Sequence, residues 1–214
     1  MEDGYPWLKN IPFLWPELVV FLEGYKPILI SKIVYWRLPY ERWYKCNTDG
    51  TSKGNPGPSS YGFCVRDWHG DLIYAECKEL GLNSNVVAEA RAMMEGLVYC
   101  VNHEFHPLVL ETDSLLMKNV VDGICEIPWC IITEVERIRR MKAEFNVLIY
   151  HVYMEGNTLA DFLTNLAFDF AGTISFNSFT DLPSAGRKIL HLDKHQVPNL
   201  RIRNVKNLRG IDVL

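Results

Sequence analysis

Four carboxylates stand where apolar segments start or stop: Asp49 in "YKCNTDGTSKGNPG", Glu89 in "AEARA", Asp113 in "ETDS" and Asp161 in "GNTLAD". Taken singly, each has a plain explanation. Asp49 suits a turn after a strand. Glu89 suits a solvated helix face, Asp113 a cap before "SLL", and Asp161 a first helical turn favoured by the dipole. Taken together they demand a positive charge, because like charges at close range repel and raise one another's pKa. Carboxylate oxygens with no Cys or His among them suit a hard cation such as Mg²⁺ or Mn²⁺. Two such ions about 3.5–4 Å apart clamp the attacking and leaving oxygens of a phosphodiester. The chemistry implied is metal-assisted phosphodiester hydrolysis.

Elements must bring these residues together. "WYKCNTD", "SYGFCVRDW" and "LIYAECKEL" read as three strands, with "DWHGD" as a hairpin turn. "NSNVVAEARAMMEGLVYCVNH" has apolar residues at helical spacing, with Asn83 or Asn85 as candidate caps. "PLVLETDS" is a short strand ending in carboxylates. "SLLMKNVVDG" is a short helix stopped by Gly123, with Ser114 as its cap, and "PWCIITEVERIRRMKAEF" is an amphipathic helix with Pro128 at its start. "NVLIYHV" is a strand and "NTLADFLTNLAFDFAG" a helix ending at Gly172. The order β-β-β-α-β-α-α-β-α predicts a mixed α/β fold. The first three strands meander antiparallel, and the later ones are joined by parallel crossovers. Placing the first and fourth strands side by side brings Asp49 next to Asp113. Ala88 and Ala90 let the helix bearing Glu89 approach the sheet.

With these motifs in this order, residues 43–170 resemble the ribonuclease H family, in the reverse-transcriptase-like form of plant retroelements. The segments that carry the likeness are "KCNTDGTSKGNPG", "AEARA", "ETDS" and "HVYMEGNTLADFLTN". The resemblance implies a ribonuclease H-like fold with a five-stranded mixed sheet and helices on both faces. It implies an endonuclease that hydrolyses the RNA strand of RNA–DNA hybrids with two Mg²⁺ ions, Mn²⁺ being a substitute. Asp49, Glu89, Asp113 and Asp161 align with the family's metal-binding carboxylates. His151 aligns with a histidine near the scissile phosphate, and its charge can change near neutral pH. Asn55, Gly57, Asn85 and Asn157 align with positions near the hybrid, where the 2′-hydroxyl separates RNA from DNA. Asn157 also suits a cap on the last helix. One departure stands out: related plant sequences read "REGN" where this chain reads "MEGN", so Met154 replaces an arginine. The D-x-E motif of 3′–5′ exonucleases on this architecture is missing after Asp49. A catalytically weak retroelement descendant that binds nucleic acid or protein is the second reading.

The flanks read differently. Residues 1–42 carry Trp7, Trp15 and Trp36 among prolines, an extension expected to pack on the 43–172 domain. Residues 173–214 read as a basic, mostly irregular tail. Seven basic residues against one acidic between Gly186 and Gly210 give a surplus of six, leaving the rest of the chain near −10 against its net −4. That surplus suits a phosphate-contacting arm. The hydrophobic content of 48% and charged content of 22% suit a globular protein. No apolar run approaches the eighteen residues of a membrane span, and no secretory signal is read at the start. Six cysteines without a C-x-x-C pair read as reduced thiols of an intracellular protein, in the nucleus or the cytoplasm. A monomer is expected.

Overall fold

Alternation along the strands decides which residues meet. In the computed structural model, residues 12–23, 28–170 and 172–205 are described. The chain order is α1 (Trp15–Glu23), β1 (Ile28–Val34), β2 (Tyr44–Ser52), β3 (Gly57–Arg66), β4 (Leu72–Asn83), α2 (Asn85–Asn102) and β5 (Leu108–Thr112). It continues through α3 (Leu115–Val121), α4 (Ile132–Glu144), β6 (Val147–His151), α5 (Thr158–Leu166), β7 (Thr173–Phe176), α6 (Ser184–Lys194) and β8 (Asn199–Val205). Contacts divide the chain into two units. One spans residues 33–199. The other carries α1 and most of a two-stranded sheet of β1 and β8.

The larger unit is built on a six-stranded mixed sheet in the order β6-β5-β2-β3-β4-β7. β2, β3, β4 and β7 pair antiparallel, and β2, β5 and β6 pair parallel. The expected mixed α/β fold with the first and fourth strands adjacent is therefore formed. The strand count is six, not five, because residues 173–176 add an edge strand on β4.

Successive strand residues point to opposite faces. Phe63 and Val65 of β3 join a core with Leu97, Met117 and Ile138 from α2, α3 and α4. Cys64 between them joins a second core with Leu159, Leu163 and Leu190 from α5 and α6. Helices thus cover both faces. Fully burying one such large side chain contributes about 1.5–3 kcal/mol. A dozen of them outweigh a local cost of several kcal/mol at a charged site.

Local caps follow the sequence closely. Ser84, rather than Asn83 or Asn85, caps α2 by accepting from Val87 N. Ser114 caps α3 in the same way. Gly123, at φ +79°, follows the end of α3. The cysteines are all free thiols, four of them buried.

Two flanking readings change. The segment from 173 is not mostly irregular: it forms β7, α6 and β8. Two of its cations have partners within the fold. Lys194 pairs with Asp71, and Arg187 donates to Thr180 O. Lys206 and Arg209 lie outside the described residues. In the lead-in, Trp36 is buried at 2% exposure, whereas Trp15 is 74% exposed. Trp7 lies outside the described residues. Among the described residues no helix is long and apolar enough to cross a membrane.

Candidate metal centre

Asp49 lies near the end of β2, buried at 6% exposure and paired across to Gly62 of β3. The next residue, Gly50, explains how a helix comes so close. A Cβ at Gly50 would sit 2.2 Å from the Ala88 carbonyl carbon and 2.3 Å from Glu89 N. Only glycine lets α2 press its backbone onto β2 there. Ala88, fully buried, forms that close contact and sets Glu89 against the strand end, and Ala90 is buried in the core beside it. Asp113 follows β5, whose last residue Thr112 pairs with Thr48 of β2.

The result is a triad. Ligand oxygens of Asp49, Glu89 and Asp113 lie within 4.8 Å of one another. Glu89 Oε2 and Asp113 Oδ1 are buried and lack a hydrogen-bond partner. Among the described residues no cationic side chain forms an ion pair with any of the three. The electrostatics follow. Burial, then the Asp113 charge, pushes Asp49 up to about 7. Burial, then the Asp49 and Asp113 charges, pushes Glu89 well above the usual carboxylate range. Burial likewise raises Asp113. Three oxygen donors with unpartnered buried atoms and no internal cation fit a hard divalent ion.

Asp161 stands apart. It sits in the first turn of α5, where Asn165 Nδ2 donates to its Oδ1 at 3.1 Å. Its oxygens are not within the triad, though its charge reaches both Asp49 and Asp113. It lines a cleft of about 370 Å³ with Phe162, Ile189 and Leu192 of α5 and α6.

The remaining predicted residues divide into rim and support. His151 closes β6, and its Nε2 lies 3.1 Å from Asp113 O. A carbonyl only accepts, so Nε2 carries the hydrogen and Nδ1 is the basic nitrogen of the neutral ring. Asn55 and Asn85 are exposed and joined, Asn85 N donating to Asn55 Oδ1 at 3.1 Å. Gly57 is buried; a Cβ there would meet Lys53 O at 2.2 Å, so it closes the loop. Asn157 departs from the expected cap. It makes no side-chain cap bond, is 1% exposed, and donates through Nδ2 to Thr48 O at 3.0 Å. A buried amide engaged at both ends supports the site from behind.

Two supporting residues carry no role in the sequence reading. Thr164 Oγ1 donates to Asp49 O at 3.0 Å, tying α5 to β2. Asn47 bridges β2 and β5 by donating to Glu111 Oε2 at 2.9 Å. Both lie inside motifs that carry the resemblance. For Asn47, a polar side chain in the middle of a strand covered by helices is the available signal, since buried polar groups require partners.

A family model described as reverse transcriptase-like matches residues 47–167, more than half of the chain. An Arabidopsis thaliana protein named after ribonuclease H is 31% identical over 174 residues, 80% of this chain. The chain spans 28% of that relative's length. The RNase H1 of the halophilic archaeon Halobacterium salinarum superimposes with a TM-score of 0.56 at 27% identity, covering 59% of this chain and 97% of that one. LC11-RNase H1 in complex with an RNA/DNA hybrid superimposes with a TM-score of 0.53 at 25% identity, covering 59% and 96%.

Proposed function

The chain belongs to the reverse transcriptase-like ribonuclease H family, and from that premise we propose that it is a metal-dependent endonuclease cutting the RNA strand of RNA–DNA hybrids. One observation carries the reading: two buried carboxylates and the half-buried Asp113 converge without an internal cation, and two of their oxygens have no partner. Asp49, Glu89 and Asp113 are the residues to hold Mg²⁺ or Mn²⁺, with Asp161 completing a two-ion site. The bound ions supply the positive charge that offsets the carboxylates and stabilises the charge developing on the phosphodiester oxygens.

The protein's own groups do the rest. Gly50 lets α2 close onto β2 beside Asp49, and Thr164 ties the Asp49 carbonyl to α5. His151, its Nε2 beside the Asp113 carbonyl, is the group we assign to proton transfer at the site. The exposed Asn55–Asn85 pair offers polar groups to the RNA strand and its 2′-hydroxyls. Hydrolysis leaves a 3′-hydroxyl and a 5′-phosphate. We place this activity in an intracellular monomer of retroelement origin.

A second reading, a hybrid-binding module with weak turnover, is favoured by one observation. Met154 is 54% exposed and brings no positive charge to the position where the resemblance implies an arginine. Of the basic residues on α4, Arg139 is turned to the carbonyls of Val120 and Val121, and Lys142 pairs with Asp122. A hybrid labelled on its RNA strand separates the readings. With Mg²⁺ the chain cuts the RNA strand, and Asp49→Asn slows cutting by at least about 10²-fold. Binding without cutting supports the second reading. Equal cutting by Asp49→Asn overturns the first.

A further inference from the structure

The indole N–H of Trp36 begins a chain of hydrogen bonds that ends at the acidic centre. Trp36 Nε1 donates to Asn47 Oδ1 at 2.9 Å. Asn47 Nδ2 donates to Asn157 Oδ1 at 3.2 Å and to Glu111 Oε2 at 2.9 Å. Asn157 Nδ2 donates to Thr48 O at 3.0 Å. All five of these residues are nearly or fully buried.

The chain has one polarity. An indole nitrogen only donates, so Asn47 must present its oxygen to Trp36. Its amide nitrogen then faces Asn157, whose own nitrogen must face a carbonyl, which only accepts. Turning either amide over sets donor against donor or acceptor against acceptor, and a buried unsatisfied group costs about 1–3 kcal/mol. The Trp36 N–H, the Glu111 carboxylate and the Thr48 carbonyl together fix the two amides, and deleting the N–H leaves the buried Asn47 oxygen without its donor. The ring is itself held in place, with the Arg66 guanidinium 4.2 Å and Lys45 Nζ 5.1 Å from its face.

The far end of the chain lies where geometry matters. Pairing of β2 with β5 ends at Thr48 and Thr112, and Asn157 takes up the Thr48 carbonyl there. Thr48 precedes Asp49. Asn157 precedes α5, and its carbonyl accepts from Asp161 N at 3.1 Å. The last amide thus joins the backbone carrying Asp49 to the helix carrying Asp161. Trp36 lies eleven residues ahead of Asn47, where the family match begins.

We propose that Trp36, outside the family-matched segment, is a positioning residue for the acidic centre, acting through Asn47 and Asn157 to fix β2 against α5. The inference rests on the metal reading above. The working unit then starts no later than Trp36.

The test is Mn²⁺ binding by calorimetry to the full chain, Trp36→Phe and Asn157→Ser, with hybrid cleavage and the side-chain amide NMR signals read alongside. Trp36→Phe keeps a ring over Arg66 and deletes the N–H. Asn157→Ser keeps a residue that helix starts accept and deletes the bridge. Loss of an outer-shell partner weakens metal affinity by about 10–100-fold. The expected result is at least a tenfold weaker Mn²⁺ affinity in both variants. With it come a fall in kcat at unchanged KM for the hybrid, and a displaced Asn157 amide signal in Trp36→Phe. If Trp36→Phe does not fold, Trp36→His, which keeps a ring with an N–H, takes its place, and wild-type Mn²⁺ affinity in Trp36→His beside a loss in Asn47→Ser supports the link through Asn47. Wild-type affinity in folded Trp36→Phe, or in Asn157→Ser or Asn47→Ser, overturns the positioning role. Absence of Mn²⁺ binding to the unaltered chain overturns the metal reading instead.

Discussion

Two carboxylates two residues apart, Glu111 on β5 and Asp113 just past its end, live in opposite circumstances. Glu111 has both oxygens satisfied: Lys45 Nζ donates to Oε1 at 2.6 Å and Asn47 Nδ2 to Oε2 at 2.9 Å. Asp113 has an unpartnered buried oxygen and faces Asp49 and Glu89. The neighbouring strand repeats the contrast, with Lys45 and Asn47 beside the first carboxylate and Asp49 beside the second. Glu111 is buried and Asp113 half-buried, so the self-contained cluster is not the more exposed of the two. What separates them is the source of positive charge. One cluster contains its own cation; the other is built to receive one. A buried ion pair adds little net stability, but removing one partner strands a charge and is costly.

The largest effect expected from that contrast falls on the self-contained cluster. Lys45→Met leaves Glu111 buried without its cation and destabilises the fold by about 3–5 kcal/mol, read from denaturant midpoints. An unchanged midpoint breaks the comparison.

The acidic centre moves the other way. Asp49→Asn removes repulsion and stabilises the metal-free protein at pH 8 by about 2–4 kcal/mol. The pH dependence has a definite sign. Asp49 holds its proton up to about pH 7 in the fold, against an ordinary value of 3.8. The folded state therefore binds that proton more tightly than the unfolded one. Its contribution is fully present below about pH 4 and is lost as pH rises to about 7. The metal-free chain loses stability across that window, and Asp49→Asn flattens the slope. Destabilisation by Asp49→Asn at pH 8 contradicts the account.

Asp161 sharpens the boundary of the centre. It is half-buried, outside the triad, and held by Asn165. Asp161→Asn changes metal-free stability by less than about 1 kcal/mol in thermal melts, in line with partly solvated charges. A change as large as that of Asp49→Asn places it inside the centre.

The same contrast explains what the sequence reveals. Asp49, Glu89 and Asp113 are legible because each sits at a recognisable element end, and the pairing of β2 with β5 follows from the order of elements. Gly50 sits in the open between Asp49 and the loop, although its contact with Ala88 is visible only in the fold. The position of Asp161 depends on the rotation of α5 and on Asn165, which no spacing encodes. The network around Trp36 joins residues 11, 64 and 110 positions apart, each unremarkable locally. Helix α6 hides for another reason. Gly186 inside it costs about 1 kcal/mol of propensity. It is tolerated because a Cβ there would lie 3.0 Å from Phe162 Cε1. Tertiary contacts hold the helix, among them the buried Arg66–Asp193 pair at 2.9 Å and Leu190 in the core.

Thermal melting with and without Mn²⁺, for the unaltered chain and Asp49→Asn, addresses the acidic centre directly. A ligand at 100 times its Kd adds about 2.7 kcal/mol, or roughly 5–10 °C in a chain of this size. The account predicts a rise of that order for the unaltered chain at pH 8 and little or none for Asp49→Asn. Equal shifts in both proteins, or none in either, contradict it.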